Sequence, residues 1–417
     1  MRLNTISMNK IEKLIADLCP NGVEYKKLGE VIKLEKGKQL NKELLSESGA
    51  YPAYNGGVSY SGFTENYNYD ENTIIISQGG ASAGFVNFVI TKFYANAHCY
   101  VVLPNIKLVE NKYVYHFLKL NQEKLTTKQH GAGIPALKTS EILELEIPLP
   151  PLPIQQEIVN ILDKFTELEA ELEAELEARR KQYEHYRSKL LTFNNVNGGG
   201  YKWLTINEIA RFSYGFTDTA KEKGNVRFIR ITDINENGKL RQDDKKYLDL
   251  NNENEKYILQ KGDILMARTG ATFGKTMLFN EDENAIYASF LIKIDLDKTK
   301  INPSYYWHFA QSNFYWEQTN KLVSGGAQPQ FNANVLKLIK IPIPPLSEQN
   351  HIVSMLDKFD KLVNDLSSEG LPAELKMRRQ QYEYYRNKLL TFPSLRGWNT
   401  RSNPERKTVD CFVCGSQ

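Results

Sequence analysis

From Ile158 onward, apolar or long-stemmed side chains recur at steps of three and four: Ile158, Leu162, Phe165, Leu168, Leu172, Leu176, Arg179, Tyr183, Tyr186 and Leu190. A stripe sustained over that length predicts a long helix with a coiled-coil seam. The consecutive steps of four at Leu168, Leu172 and Leu176 form a stutter, which locally unwinds a supercoil. A second stripe runs through Ile352, Leu356, Phe359, Leu362 and Leu366, then resumes at Leu371, Leu375, Arg378, Tyr382, Tyr385 and Leu389. Gly370 and Pro372 lie at the break, so the second helix is expected to stop or kink there. Each stripe is entered through a proline-rich lead, "PLPPLP" and "PIPPL". These leads are expected to stay outside the helices as stiff elbows.

A helix that is apolar along one side needs a partner. A second copy of the chain could supply it, or the two stripes could pair with each other. The segment between them is long enough for an antiparallel pairing within the chain, and that is the expected arrangement. It would relate two like units by an approximate twofold axis and hold them apart on a rod. Residues 155–191 would span about 55 Å at about 1.5 Å per residue.

The stripes belong to an internal repeat. "IPLPPLPIQQEIVNILDKF" (Ile147–Phe165) returns as "IPIPPLSEQNHIVSMLDKF" (Ile341–Phe359), 194 positions later. "RRKQYEHYRSKLLTF" (Arg179–Phe193) returns as "RRQQYEYYRNKLLTF" (Arg378–Phe392), 199 positions later. The five extra residues fall around "SSEGLP". Before each helical copy lies a segment of mixed strands, turns and short helices. These two segments match at their entry ("EYKKL", "GGYKWL") and exit ("HGAGIPALKTSEILELEIPLPPL", "SGGAQPQFNANVLKLIKIPIPPL"), and at one turn between. In that turn Gly80, Ala81 and Gly84 match Gly270, Ala271 and Gly274, while Phe85 stands against Lys275.

The same turn raises the question of nucleotide binding. "RTGATFGKT" (Arg268–Thr276) follows an apolar run, "GDILMA", that reads as a strand. A phosphate-cradling loop requires G-x-x-x-x-G-K-[ST] between a strand and a helix, and Thr269 stands where the first glycine is required. A shared bend with a variable tip is the expected reading, without nucleotide.

Composition adds limits more than direction. A chain of 417 residues has room for two or three domains. Its 53 basic against 50 acidic side chains leave a net charge of +3. Phosphate affinity follows the clustering of charge, so this balance excludes neither nucleic acid nor protein partners. The 23 tyrosines, with abundant Asn and Gln, suit surfaces that stack and hydrogen-bond. Four cysteines and no secretory pattern suggest a reducing cytoplasm. Cys411 and Cys414 make one C-x-x-C, short of the four ligands of a zinc site, so no metal is expected. No apolar run reaches the roughly 18 to 20 residues that cross a bilayer, so no membrane partner is expected. Neither half carries an N/D-P-P-[YF] loop or a glycine-rich cofactor turn after a first strand. Asp243-Asp244-Lys245-Lys246 lacks a third carboxylate and reads as a solvated turn. No catalytic residue is expected.

With the repeat and its motifs in view, the chain resembles the specificity subunits of Type I restriction–modification systems. The resemblance rests on "PLPPLPIQQEIVNILDKFTELEAELEAELEARRKQYEHYRSKLLTF" and "IPIPPLSEQNHIVSMLDKF…LPAELKMRRQQYEYYRNKLLTF", and extends over Tyr25–Phe392. It implies an α+β chain, with two mixed α/β target-recognition domains separated by two long helices that form an antiparallel intramolecular coiled coil, a pseudo-twofold repeat. The corresponding segments are an N-terminal helical segment (1–23), a first recognition domain (24–147) and a central helical repeat (148–193). A second recognition domain (194–340), a C-terminal helical repeat (341–392) and a tail (393–417) follow. The resemblance implies that each domain reads one half of a bipartite sequence in double-stranded DNA. It further implies docking of two DNA-methyltransferase subunits and, in the full complex, two motor–nuclease subunits. S-adenosylmethionine, ATP and magnesium would then be bound by those partners and no cofactor by this chain. The run "LEAELEAELEA" resembles the tandem repeat by which such subunits set the gap between half-sites. The tail has no counterpart in the family pattern. The alternative function is a coiled-coil scaffold that organises partners without reading DNA.

Arginine suits guanine, Asn and Gln suit adenine, and phosphate takes Lys, Arg or backbone N–H. The candidate contacts in the first domain are Tyr54, Asn55 and Tyr60 in "AYNGGVSYSG", Gln78 in the shared turn, and Lys128, Gln129 and His130. In the second they are Arg227, Arg230, Arg268, Lys275, Gln328 and Gln330.

Overall fold

The computed structural model describes residues 2–127, 136–192, 201–269, 273–323, 331–365 and 370–394. The chain divides into two units: the first takes residues up to Ala170 and those from Met377 on, the second Glu171–Lys376. Among the described residues each unit contains nine strands, laid down in the same order.

In the first unit, helix α1 (Arg2–Leu18) precedes β1 (Glu24–Lys27), β2 (Ile32–Lys36), β3 (Tyr51–Tyr54), β4 (Gly62–Thr64) and β5 (Thr73–Ser77). Then come β6 (Val86–Val89), β7 (Tyr94–Ala95) and β8 (Cys99–Pro104). Short helices α2 (Asn111–Leu120), α3 (Gln122–Thr127) and α4 (Thr139–Leu143) lead to β9 (Glu146–Leu149) and the 41-residue helix α5 (Leu152–Thr192). The strands form three sheets, ordered β1-β9, β2-β8-β5-β6 and β4-β3-β7.

The second unit repeats this plan. Its strands are β10 (Lys202–Thr205), β11 (Ala210–Tyr214), β12 (Val226–Ile229), β13 (Tyr247–Leu248) and β14 (Asp263–Ala267). They continue with β15 (Thr276–Phe279), β16 (Ala285–Tyr287), β17 (Leu291–Leu296) and, after helices α6 (Pro303–Ala310), α7 (Asn313–Val323) and α8 (Ala333–Leu336), β18 (Lys340–Ile343). The sheets are β10-β18, β11-β17-β14-β15 and β13-β12-β16, pair for pair those of the first unit. A parallel strand pairing recurs as well, β3 with β7 and β12 with β16. The repeat that the sequence shows at the ends of the segments thus runs through their interiors.

Buried central strands make this frame. "TIII" of β5 and "DILMA" of β14 are apolar runs without alternation, as expected where a strand is covered on both faces. The last helical segment is split into α9 (Leu346–Asn364) and α10 (Leu371–Leu389), with the break beside Gly370. A Cβ on Gly370 would lie 2.2 Å from the Asp365 carbonyl oxygen, so a side chain there is sterically refused.

The two stripes pair inside the chain. In the first unit Ile158, Leu162 and Phe165 share a core with Tyr382 and Leu389. Phe165 stacks on Tyr385 at 5.3 Å, and Glu169 binds Arg379 at 2.6 Å. As α5 advances, its partner positions on α10 recede, which makes that pairing antiparallel. In the second unit Leu176 and Tyr183 share a core with Ile352 and Leu356, against which Leu190, Phe359, Leu362 and Leu371 pack. Tyr183 and Tyr186 both stack on Phe359, at 6.1 and 5.4 Å.

Two expectations are corrected here. Leu168 is 43 % exposed and Leu172 only half-buried, so the seam does not run through them. Each step of four overshoots a full turn by about 40°, which carries the stripe away from its partner. Leu366 lies outside the described residues. The proline leads are also more than elbows. Pro148 and Pro342 are strand residues paired with Tyr25 and Trp203, and Pro153 sits in the first turn of α5, where no N–H is required.

Candidate nucleic-acid interface

In the second unit, strand β14 lies between β17 and β15 and antiparallel to both, and β17 is antiparallel to β11. The register brings the end of β11 (Tyr214), the residue after β14 (Arg268), the residue before β17 (Phe290) and the residue before β15 (Lys275) to one edge. Tyr214 is 44 % and Phe290 51 % exposed. Arg268 reaches both rings, with its guanidinium carbon 5.1 Å from the Tyr214 ring centroid and 5.6 Å from that of Phe290. Its backbone is fixed at both ends, since its N–H donates to the Phe290 carbonyl and its carbonyl accepts from Phe331 N–H.

The first unit builds the same edge from different residues. Lys36, Gln78, His98 and Phe85 take the places of Tyr214, Arg268, Phe290 and Lys275. Gln78 N–H donates to the His98 carbonyl at 2.8 Å, as Arg268 does to Phe290. The following turn is also shared. Gly84 and Gly274 both have positive φ, 89° and 77°, and their N–H groups bond Ser77 and Ala267 carbonyls at 2.8 and 2.7 Å. Lys119 lies over the Phe85 ring at 4.7 Å, and burial, with the Arg386 charge, pushes its ammonium down to about 8.

The loop carrying Tyr54, Asn55 and Tyr60 folds onto this edge. Ser77 Oγ donates to the Gly57 carbonyl at 2.9 Å, and Gly56 N–H reaches Cys99 Sγ. Asn55 is exposed, and Tyr60, 49 % exposed, packs edge-on against Tyr54. Four of the first domain's candidates, Tyr54, Asn55, Tyr60 and Gln78, are therefore brought together. In the second domain Arg268 and Lys275 are.

Arg227 and Arg230 are placed differently, because strand β12 buries the first and a turn neutralises the second. Arg227 is 2 % exposed and is held by Glu283, the Arg241 carbonyl and Gln242. Arg230 is engaged by Asp233 and Asp244 at 2.7 and 3.3 Å. Both guanidinium groups serve the fold. Arg227→Ala empties the space of a large buried side chain and strips the Arg241 carbonyl and Gln242 of a partner, and is expected to cost roughly 2–4 kcal/mol of stability. Denaturant unfolding measures this; a loss below about 1 kcal/mol would mean that the pair is dispensable. Lys128, Gln129, His130, Gln328 and Gln330 lie outside the described residues.

The nucleotide question is answered by topology. Lys275 leads into strand β15, antiparallel to β14, whereas a phosphate loop opens a helix. Asp244, Lys245 and Lys246 form an ion-paired turn with Glu283 and Glu222, as expected of a solvated loop. Among the described residues no group of His, Cys, Asp and Glu could hold a metal ion, and no helix is long and apolar enough to cross a membrane.

Each unit also holds a polar relay that the spacing of apolar positions does not mark. His116, fully buried on α2, bonds Tyr382 Oη through Nδ1 and Asp163 through Nε2, both at 3.0 Å. His308, fully buried on α6, bonds Tyr183 Oη at 3.3 Å and Asp357 at 2.7 Å. Each relay ties a domain helix to two helices of the repeat. Burial pushes the His116 imidazole down, against the pull of Asp163. Asp163 is held low: burial opposes ionisation, but hydrogen bonds from His116 and Lys112 outweigh it. The signal was present in "YVYHFL" and "YYWHFA", 192 positions apart at Tyr113 and Tyr305. A second lock repeats as well. Gln155 and Gln349 each span a proline carbonyl (Pro150, Pro344) and the backbone N–H of Glu110 or Asn302.

This doubled frame has known counterparts. The family model of the "Type I restriction modification DNA specificity domain" matches twice, over residues 20–178 and 193–377. The chain belongs to that family, and two DNA specificity domains compose it. A Haemophilus influenzae chain named as a type I restriction enzyme specificity subunit is 32 % identical over 400 residues, 92 % of this chain and 98 % of that one. The Escherichia coli "Type I restriction enzyme EcoR124I/EcoR124II specificity subunit" is 30 % identical over 93 % of this chain and 98 % of its own length. The crystal structure of a type I specificity subunit from Mycoplasma genitalium shares the fold, with a TM-score of 0.62 at 22 % identity over 88 % of this chain and 96 % of that one.

Proposed function

We propose that this chain is the non-catalytic, DNA-reading subunit of a type I restriction–modification complex, in which each strand-end edge reads one half of a bipartite duplex target. One observation carries this reading. Two units with the same strand order and the same turn carry different side chains at the same edge, Lys36, Gln78 and His98 against Tyr214, Arg268 and Phe290. A fixed frame with exchangeable tips is what two half-sites of different sequence require. Lys275 serves as a phosphate contact beside Arg268, and base edges are met by the side chains around it.

The reaction chemistry belongs to partners: two methyltransferase subunits binding S-adenosylmethionine and two motor–nuclease subunits binding ATP and magnesium, in the cytoplasm. The purified chain alone is expected to leave DNA unmethylated and uncut. With the methyltransferase subunit added, it should bind one bipartite duplex in a salt-dependent manner and support methylation. Turnover that follows the single chain through purification would sink the non-catalytic assignment. Binding that ignores sequence would sink the reading role.

A further inference from the structure

Arg227 and Arg230 commit their guanidinium groups to carboxylates, and Arg268 does not. Among the described residues no carboxylate or other acceptor meets its guanidinium, and Nε lies sealed from solvent without a partner. Tyr214 and Phe290 both lie within cation–π distance of it while remaining largely exposed themselves. The backbone hydrogen bonds to Phe290 and Phe331 fix the root of the side chain. The guanidinium is therefore restrained before anything binds.

We infer that Arg268 is a specificity-determining residue: it reads one guanine, through O6 and N7 on the major-groove edge, in the half-site met by the second unit. This rests on the DNA-reading function proposed above. An arginine fork matches those two acceptors and no other base edge as well. Contact with two rings removes rotamer freedom that would otherwise be lost on binding, and it favours the restricted orientation that a two-bond contact demands. The same fork can grip a phosphate, but that contact positions without reading, so sequence discrimination is what separates the two. Lys275, a compact charge at the start of the neighbouring strand, suits the positioning contact instead. In the first unit the equivalent Gln78 has Oε1 buried and is flanked by His98 and Phe85 in strand order, so the inference is confined to Arg268.

The test uses this chain assembled with its methyltransferase subunits. Sequencing of methylated DNA first gives the target motif; if no bipartite motif depends on the chain, the DNA-reading function itself has failed. Given a motif, each of its guanines is replaced in turn by 7-deazaguanine, which removes N7 alone. Wild-type binding should weaken at one guanine in one half-site. Arg268→Ala should be indifferent to that replacement and should accept other bases there, with discrimination reduced roughly 5- to 150-fold, the range for one such pair. Arg268→Lys should keep the salt dependence and still lose the discrimination, which excludes a mere loss of charge or of fold. Unchanged recognition of the other half-site shows that each variant is assembled. The inference is overturned if no guanine responds to loss of N7, or if Arg268→Ala still responds. It is also overturned if Arg268→Ala weakens all sequences equally and lowers the salt slope by about one phosphate.

Discussion

Replacing residues 28–145 by the matching segment of a relative is expected to change one half of the methylated motif and leave the other half intact. The segment is closed at its root, where Leu28 N–H donates to the Leu145 carbonyl at 2.7 Å. Cutting there preserves the β1–β9 pair, which runs from Glu24 opposite Leu149 to Lys27 opposite Glu146. The ties across the cut must survive the exchange, among them His116 to Asp163 and Tyr382, Lys112 to Asp163, Tyr113 Oη to the Pro148 carbonyl, and Glu110 N–H to Gln155. Donors that carry the equivalents of Glu110, Lys112, Tyr113 and His116 should therefore fold on this frame. Methylome sequencing of cells expressing the chimaera reads the result directly. A change in both halves would contradict independent reading by two domains.

His116→Ala should destabilise the first unit by roughly 2–4 kcal/mol, because it opens an imidazole-sized cavity and strands two hydrogen-bond partners. Tyr382→Phe, which removes one bond and little volume, should cost about 1 kcal/mol. The relay also gives a pH dependence. The groups facing it are Lys112, Asp163, Glu169, Tyr115, Tyr382 and Arg386. The folded values of His116 and Asp163 both lie below their ordinary ones, so the unfolded chain takes up these protons first. The stability they contribute is present above the ordinary histidine value of 6.5. It is lost as pH falls through the His116 range, and further through that of Asp163. Denaturant midpoints between pH 8 and 5, as rough bounds, should fall with acidity in the wild type and fall less in His116→Ala. Equal slopes would mean that the imidazole takes up its proton without cost to the fold.

The helical half of this architecture was open to reading along the chain. Two stripes of period 3.6, two copies of "LDKF" and two of "QYE-YR" state a repeat whose helices need each other. Strand placement was legible where burial is two-sided, as in "DILMA", and where a glycine must take positive φ, as at Gly84 and Gly274. A basic residue in an unassigned segment, such as Arg227, reads as a contact until its carboxylate is found. Glu283 lies 56 positions away, and nothing local marks the pair. Leu168 shows the opposite case, since the local pattern continues through it while steps of four carry its side chain out to solvent.

By itself the sequence determined the internal repeat, the pairing need of its helices, the absence of a phosphate loop and the family. All of these rest on residue types at short or exactly repeated spacings. Tertiary structure alone decided that the divergent interiors share one strand order, and that Tyr214, Arg268 and Phe290 meet at one sheet edge. It alone joined His116 to Asp163 and Tyr382. The physical reason is that sheet pairing is carried by backbone hydrogen bonds, which many side-chain sequences satisfy equally. Which side chains then become neighbours depends on the register of strands far apart in the chain, and one residue of slip would turn each of them to the other face.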